Sequence, residues 1–217
     1  MPEEPVSRPA SVGRWSAESG HRTRKESALD EPASPPDPLS DAVSAARTGD
    51  EAAFVTLWRA LHPPLLRYLT VRGDEAPEDI ASETWLDVVK GLSGFEGNAA
   101  AFRAWLFTIA RHRAVDQGRA RTRGPVVAVA TLPDTRLEPS AEDHAVARDA
   151  TARALDLVAT LPAAQAEMVM LRVVAGLDVA DVARLVGKKP GTVRVAVHRA
   201  LQTLAQHPDA RANREVV

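Results

Sequence analysis

Apolar residues recur at helical spacing in block after block of this chain, most clearly towards its C-terminal end. Val179, Val182, Ala183 and Val186 fall at i, i+3, i+4 and i+7, and Val193, Ala196, Val197, Ala200, Leu201 and Leu204 repeat the period. Two amphipathic helices follow from that pattern. The break between them, Gly187-Lys188-Lys189-Pro190, puts glycine where a helix ends and proline where the next begins. The expected layout is a helix-turn-helix.

The same period marks earlier helices. Phe54, Leu57, Trp58 and Leu61 share one face behind Gly49-Asp50, and Leu65, Leu66 and Leu69 resume an apolar face after an interruption expected at Pro63-Pro64. Ala81, Trp85, Val88 and Leu92 form a stripe behind Pro77, Glu78 and Asp79, all three suited to a first helical turn. Gly91 to Ala100 reads as a loop, followed by a helical face of Phe102, Trp105, Leu106, Ile109 and Ala110. Val146, Ala150, Ala154, Leu157, Val158 and Leu161 give another helix, ended by Pro162. A further one holds Ala164, Met168, Leu171 and Ala175, closed by Gly176.

Where the period fails, composition says why. Residues 1–38 are rich in proline, serine and charge and carry few large apolar side chains, the mark of a disordered tail. Pro125, Pro133 and Pro139 break the pattern again over a linker at 123–144. The expected fold class is therefore all-α, with two small helical domains, 39–122 and 145–207, joined by a flexible linker and followed by a short disordered tail at 208–217. The second domain contains the helix-turn-helix.

Charge then divides the surface. Asp79, Glu83 and Asp87 lie at i, i+4 and i+8, an acidic ridge suited to a basic partner. Arg103, Arg111, Arg113, Arg119, Arg121 and Arg123 have only Asp116 among them as counter-charge. With aromatics on the same helix and the adjoining loop, they suit a surface that grips phosphates and stacks unpaired bases, although Phe102 and Trp105 themselves read as core. From Val182 to Pro208 no carboxylate occurs, and Lys188, Lys189, Thr192, Arg194, Val195, His198, Arg199 and Gln202 are left off the apolar ladder. Such a helix can lie in the major groove and meet phosphates and base edges together.

The 217 residues carry a formal net charge of −2, unlike a free-standing nucleic-acid binder, which is usually basic overall. DNA binding must then come from local patches or from a complex whose partner supplies charge. The absence of cysteine suits a reducing cytoplasm. No apolar run approaches a membrane span, and the N-terminus lacks an apolar signal core. No histidine pair has metal-ligand spacing, and no phosphate loop or nucleophile motif is present. No catalytic residue, metal or cofactor is expected.

Two sets of residues carry a resemblance to a known family. In the first domain they are Leu65-Leu66-Arg67-Tyr68, Glu78-Asp79-Ile80, Glu83-Thr84-Trp85, Phe102-Arg103-Ala104-Trp105-Leu106, Ile109-Ala110-Arg111 and Arg113-Ala114-Val115-Asp116. In the second they are Leu161-Pro162, Leu171-Arg172, Gly176-Leu177, Val182-Ala183, Gly187, Gly191-Thr192-Val193-Arg194 and His198-Arg199-Ala200. From about Asp50 to Ala205 the chain resembles a bacterial alternative sigma factor of the extracytoplasmic-function group, in the sigma-70 family. Ser82, His112 and Ala196 stand where that pattern commonly has Gln, Asn and a polar residue.

The resemblance implies roles. The helix with Asp79, Ile80, Glu83, Thr84 and Asp87 is similar to the docking surface for the largest subunit of core RNA polymerase. Phe95, Asn98, Arg103, Arg111, His112, Arg113 and Arg119 match the segment that recognises and melts the minus-ten element, where bases are flipped out of the stack. Lys188, Lys189, Thr192, Arg194, Val195, His198 and Arg199 match the module that reads the minus-thirty-five element. The acid-bearing linker would run towards the RNA exit channel. An anti-sigma factor is a plausible further partner, and membrane insertion is not expected. The rival reading is a stand-alone helix-turn-helix regulator of duplex DNA, which accounts for residues 142–207 but not for the acidic and arginine-rich helices ahead of them.

Overall fold

The computed structural model describes residues 39–121 and 143–208, and every regular element among them is helical. Local chemistry sets the ends of these helices. Helix α1 spans Leu39–Arg47 and α2 spans Glu51–Arg72. Asp50 caps α2 by accepting the Ala53 N–H at 3.0 Å, and Gly73 closes it in the left-handed region at φ 84°. Helix α3 (Pro77–Gly91) starts on its proline, and α4 (Ala99–Arg121) on Asn98, which accepts the Ala101 N–H at 3.0 Å. Then come α5 (Asp143–Ala159) and α6 (Ala163–Val169), which runs into a π-helical turn at Met170–Val174. Helices α7 (Val179–Val186) and α8 (Pro190–Gln206) complete the order.

The expected interruption at Pro63-Pro64 does not occur: α2 runs unbroken through both. A proline deprives the carbonyl four residues earlier of its donor, here those of Arg59 and Ala60. Both of those residues are exposed, as is Pro63, so water can take the bonds. On the opposite side Leu57, Leu61, Leu65, Tyr68 and Leu69 are buried and pin both halves of the helix to one core. Apolar burial outweighs two missing backbone bonds.

The N-terminal unit packs α1 on α2, and α3 on both α2 and α4. Aromatic rings fill its centre. Tyr68 meets Phe107 edge to face with centroids 5.5 Å apart, and Phe54 meets Trp85 in the same way at 5.7 Å. In the C-terminal unit α8 packs on α6 and α7 around Met170, Leu171, Leu177, Val182, Val193 and Ala200. The two units also touch each other, because α2 packs on α5, α6 and the π-helical turn. The linker expected over 123–144 lies outside the described residues except at its end, where α5 begins at Asp143. The N-terminal tail, and all but the start of the C-terminal one, lie outside them too.

On α2, His62 stacks on Trp58 with centroids 4.5 Å apart and an interplanar angle of 16°. Burial holds its imidazole below the ordinary 6.5. Below that pH the unfolded chain binds a proton that the folded chain resists, so this contribution is intact above 6.5 and lost as pH falls. The thermal midpoint should therefore drop as pH is lowered from about 7 towards about 5. His62→Phe, which keeps the stack without the proton, should remove part of that drop in circular-dichroism melts.

Candidate nucleic-acid interface

The helix-turn-helix is fixed by its two turns of backbone chemistry. Asp178 accepts the Asp181 N–H at 2.6 Å and so starts α7. Gly187, left-handed at φ 66°, ends it by donating to the Ala183 and Arg184 carbonyls. Lys188 adds a bond to the Ala183 carbonyl at 2.9 Å. Two residues later Pro190 opens α8. Val193 and Ala200 bury the inner face of α8, while Lys188, Lys189, Thr192, Arg194, Val195, His198 and Arg199 are all exposed. The structure thus gathers the whole predicted basic set on one side of one helix and its leading turn.

The acidic ridge is less uniform than its spacing suggests. Asp79 is exposed, but Ile80 is buried, and Thr84 is buried with its hydroxyl donating to the Ile80 carbonyl at 2.7 Å. Arg113 of α4 reaches across to α3, where Nε donates to Asp87 Oδ2 at 2.7 Å and Nη1 to Glu83 Oε2 at 3.2 Å. Nη2 closes a further contact on Asp87. The Asp87 side chain keeps only 15% of its exposure and also accepts from Lys90 at 3.3 Å. One end of the ridge is therefore turned inward as a clamp between α3 and α4, and Asp79 and Glu83 are its outward part.

The loop before α4 also differs from its sequence reading. Phe95 is 4% exposed, stacked on Trp105 at 5.0 Å and edge-on to Phe102 at 5.6 Å, so here it offers no face to a base. Gly97 sets the bend that permits this: at φ 151° a Cβ would lie 2.7 Å from the Ala101 Cβ. Asn98 is occupied as the α4 cap. His112 is exposed, and Arg103 is half-buried. Arg119 stands 3.6 Å from Asp116. Phe102 and Trp105 are core residues, as read from the sequence.

Arg111 leads to residues the sequence reading passed over. Its Nε donates to Glu167 Oε1 at 3.0 Å. The same oxygen accepts the Tyr68 hydroxyl at 3.1 Å and lies 3.5 Å from Arg72 Nη1. Burial, and then the charge of Glu167, push the Tyr68 hydroxyl up, so it stays protonated and donates. Beside this cluster, Ala104, Thr108, Arg111 and His112 of α4 face Asp181, Arg184 and Leu185 of α7 across a cleft of about 150 Å³. One signal was available: Glu167 is the only charged residue between Ala163 and Leu171, in an otherwise apolar helix.

Comparison with known proteins agrees with this arrangement. Residues 57–124 match the model of sigma-70 region 2, and residues 151–204 that of sigma-70 region 4. The ECF RNA polymerase sigma factor SigD of Mycobacterium tuberculosis is 34% identical over 173 residues, covering 76% of this chain and 82% of its own. The ECF RNA polymerase sigma factor BldN of Streptomyces coelicolor is 34% identical over 171 residues, covering 77% of this chain and 65% of its own. Among solved structures, CnrH in complex with the cytosolic domain of CnrY shares the fold, with a TM-score of 0.53 and 21% identity over 80% of this chain and 99% of that one.

A region 2 helical unit followed by a region 4 helix-turn-helix defines a sigma factor of the sigma-70 family. Within that family the chain belongs to the extracytoplasmic-function group, and it is an alternative sigma factor that directs transcription initiation by RNA polymerase. None of its described helices is long and apolar enough to cross a membrane.

The split ridge has a measurable consequence. Asp87→Asn should cost about 1–2 kcal/mol in urea denaturation, because it removes a charge-assisted clamp between two helices. Asp79→Asn should change stability by less than about 0.5 kcal/mol, as expected for an exposed position.

Proposed function

We propose that the two units divide promoter recognition and polymerase docking between them at the following residues. The exposed face of α8 and its leading turn reads the minus-thirty-five element. Arg194, His198 and Arg199 contact bases and phosphates, supported by Lys188, Lys189 and Thr192. The observation that carries this is the segregation on α8: an apolar inner face is buried while every predicted contact residue stands outward. Phosphate contacts would fix the register and base edges would set the sequence.

In the same reading Asp79 and Glu83 present the docking charge of α3 to core polymerase, while Ile80, Thr84 and Asp87 hold the helix in the shape that presents it. The α4 surface with Arg103, Arg111, His112, Arg113 and Arg119 takes the minus-ten region. Phe95 and Asn98 support that surface from within, Phe95 by stacking and Asn98 by capping. The protein carries out no enzymatic step of its own and works in the cytoplasm. Polymerase supplies most of the attraction for DNA, which removes the objection raised by a net charge of −2. An anti-sigma partner, expected above from the resemblance, would act by covering these surfaces.

Promoter-specific transcription by core polymerase from a library of genomic fragments tests the whole reading. Specific starts that depend on this protein and share two spaced upstream elements are expected. Retardation of duplex DNA by the protein alone, with polymerase indifferent to it, would favour the stand-alone regulator. Arg194→Ala with Arg199→Ala should weaken promoter binding by the holoenzyme and leave docking intact. Asp79→Ala with Glu83→Arg should weaken docking by a few kcal/mol, on the order expected for interfacial charges, as read by core-enzyme pull-down.

A further inference from the structure

The outward side of α8 is not uniformly polar. Val193 and Ala200 are fully buried and mark its inner line. Two residues past Val193 the helix has turned by about 200°. That sets Val195 on the opposite side, where it keeps 50% of its exposure. On most surfaces a single exposed valine has no significance. Here its neighbours give it one. One turn before it on the helix surface stand Gly191 and Thr192, and one turn after it His198 and Arg199, all exposed. No carboxylate lies between Val182 and Pro208. The apolar side chain is framed by donors on a face built to meet a polyanion.

Gly191 stands out on the same line. Its φ is not among the positive ones, and a Cβ there would meet nothing within 4 Å. Neither backbone conformation nor internal packing calls for glycine, which weakens a helix relative to alanine. Gly187 differs, since its left-handed φ of 66° ends α7. A helical glycine with no internal reason leaves room for something outside the protein to come close.

We propose that Val195 is a specificity-determining residue of α8, selecting thymine at one position of the minus-thirty-five element by packing on its C5-methyl group, while Gly191 lets the helix reach the depth this contact needs. The inference rests on the reading of α8 given under Proposed function. The thymine methyl is the one apolar group in the major-groove pattern of donors and acceptors. Valine covers that methyl and can satisfy no donor or acceptor. A base pair that offers only polar groups at that point is left unpaired against it, at a cost. Attraction and exclusion therefore select the same base. Arg194, His198 and Arg199 hold phosphates and polar edges, with the salt dependence that phosphate contacts carry. The choice made by Val195 involves no charge and is independent of salt.

The test uses core polymerase loaded with the whole chain. Its probe is a duplex promoter recovered from the genomic-fragment assay and randomised across the minus-thirty-five window. The wild type should enrich thymine at one position, and Val195→Ala should lose that preference there and keep the others. Deoxyuridine in place of that thymine deletes the methyl alone. It should lower wild-type affinity about fourfold, the worth of one buried methyl group, at low and high salt alike, and leave Val195→Ala unaffected. Gly191→Ala should raise the thermal midpoint yet weaken promoter binding several-fold, opposite signs that a merely structural glycine would not give.

Val195→Ala lies at an exposed position and should keep its helices, its thermal midpoint and its pull-down of core enzyme. An element read identically by wild type and Val195→Ala overturns the thymine contact and leaves α8 as the reader. So does a uridine promoter that binds the wild type as well as thymine does. Promoter binding by Gly191→Ala equal to wild type overturns the close approach. If the wild type enriches no element in that window, the reading of α8 falls and the thymine contact falls with it.

Discussion

Helix α2 is the wall against which both halves of this protein are built. At 22 residues it is about 33 Å long, and it packs on α1 and α3 as well as on α5, α6 and the π-helical turn. Its buried side chains serve both purposes. Leu57 and Leu65 lie within the first unit, and Tyr68 sends its ring into that core against Phe107 and its hydroxyl out to Glu167. Two adjacent prolines in such an element look like a fault in the design. They are tolerated because the residues whose carbonyls lose donors are exposed, while the leucines on the other side hold the axis.

That helix also marks the limit of what could be read from the chain. The helices, the caps at Asp50 and Gly187 and the inward face of α8 were legible because their cause is local: period, cap chemistry and proline position act within a few residues. Pro63-Pro64 misled because its local penalty is real, and only the tertiary burial of Leu61 and Leu65 outweighs it. Asp79, Glu83 and Asp87 were legible as a ridge. What each does was not, because Arg113 lies some thirty residues away in the chain and i, i+4 spacing says nothing of a neighbour on another helix. Phe95 could not be read as core for the same reason, its partners Phe102 and Trp105 being brought to it by the bend at Gly97.

The contrast between α8 and α4 is therefore one of exposure as well as of composition. Helix α4 carries five arginines and α8 two, yet on α8 the basic residues face solvent from an apolar base. Those of α4 are partly held by carboxylates of neighbouring helices, Arg111 by Glu167 and Arg113 by Asp87 and Glu83. A count of basic residues alone would have ranked α4, with five arginines, above α8, with two. The placement of the acids separates a basic face open to solvent from one whose arginines already have counter-charges on neighbouring helices.

Arg113 carries this one step further, since its guanidinium sits between a helix assigned to polymerase and a helix assigned to DNA. A cation from polymerase that draws Glu83 and Asp87 outward loosens the grip on Arg113, and a phosphate that draws Arg113 away releases the two acids. Thermodynamic linkage requires the two effects to be equal. Under the roles proposed above, this one shared side chain would make each macromolecule a heterotropic effector of the other. The assembled ternary complex would then be favoured over either half complex by the same factor, whichever partner arrives first.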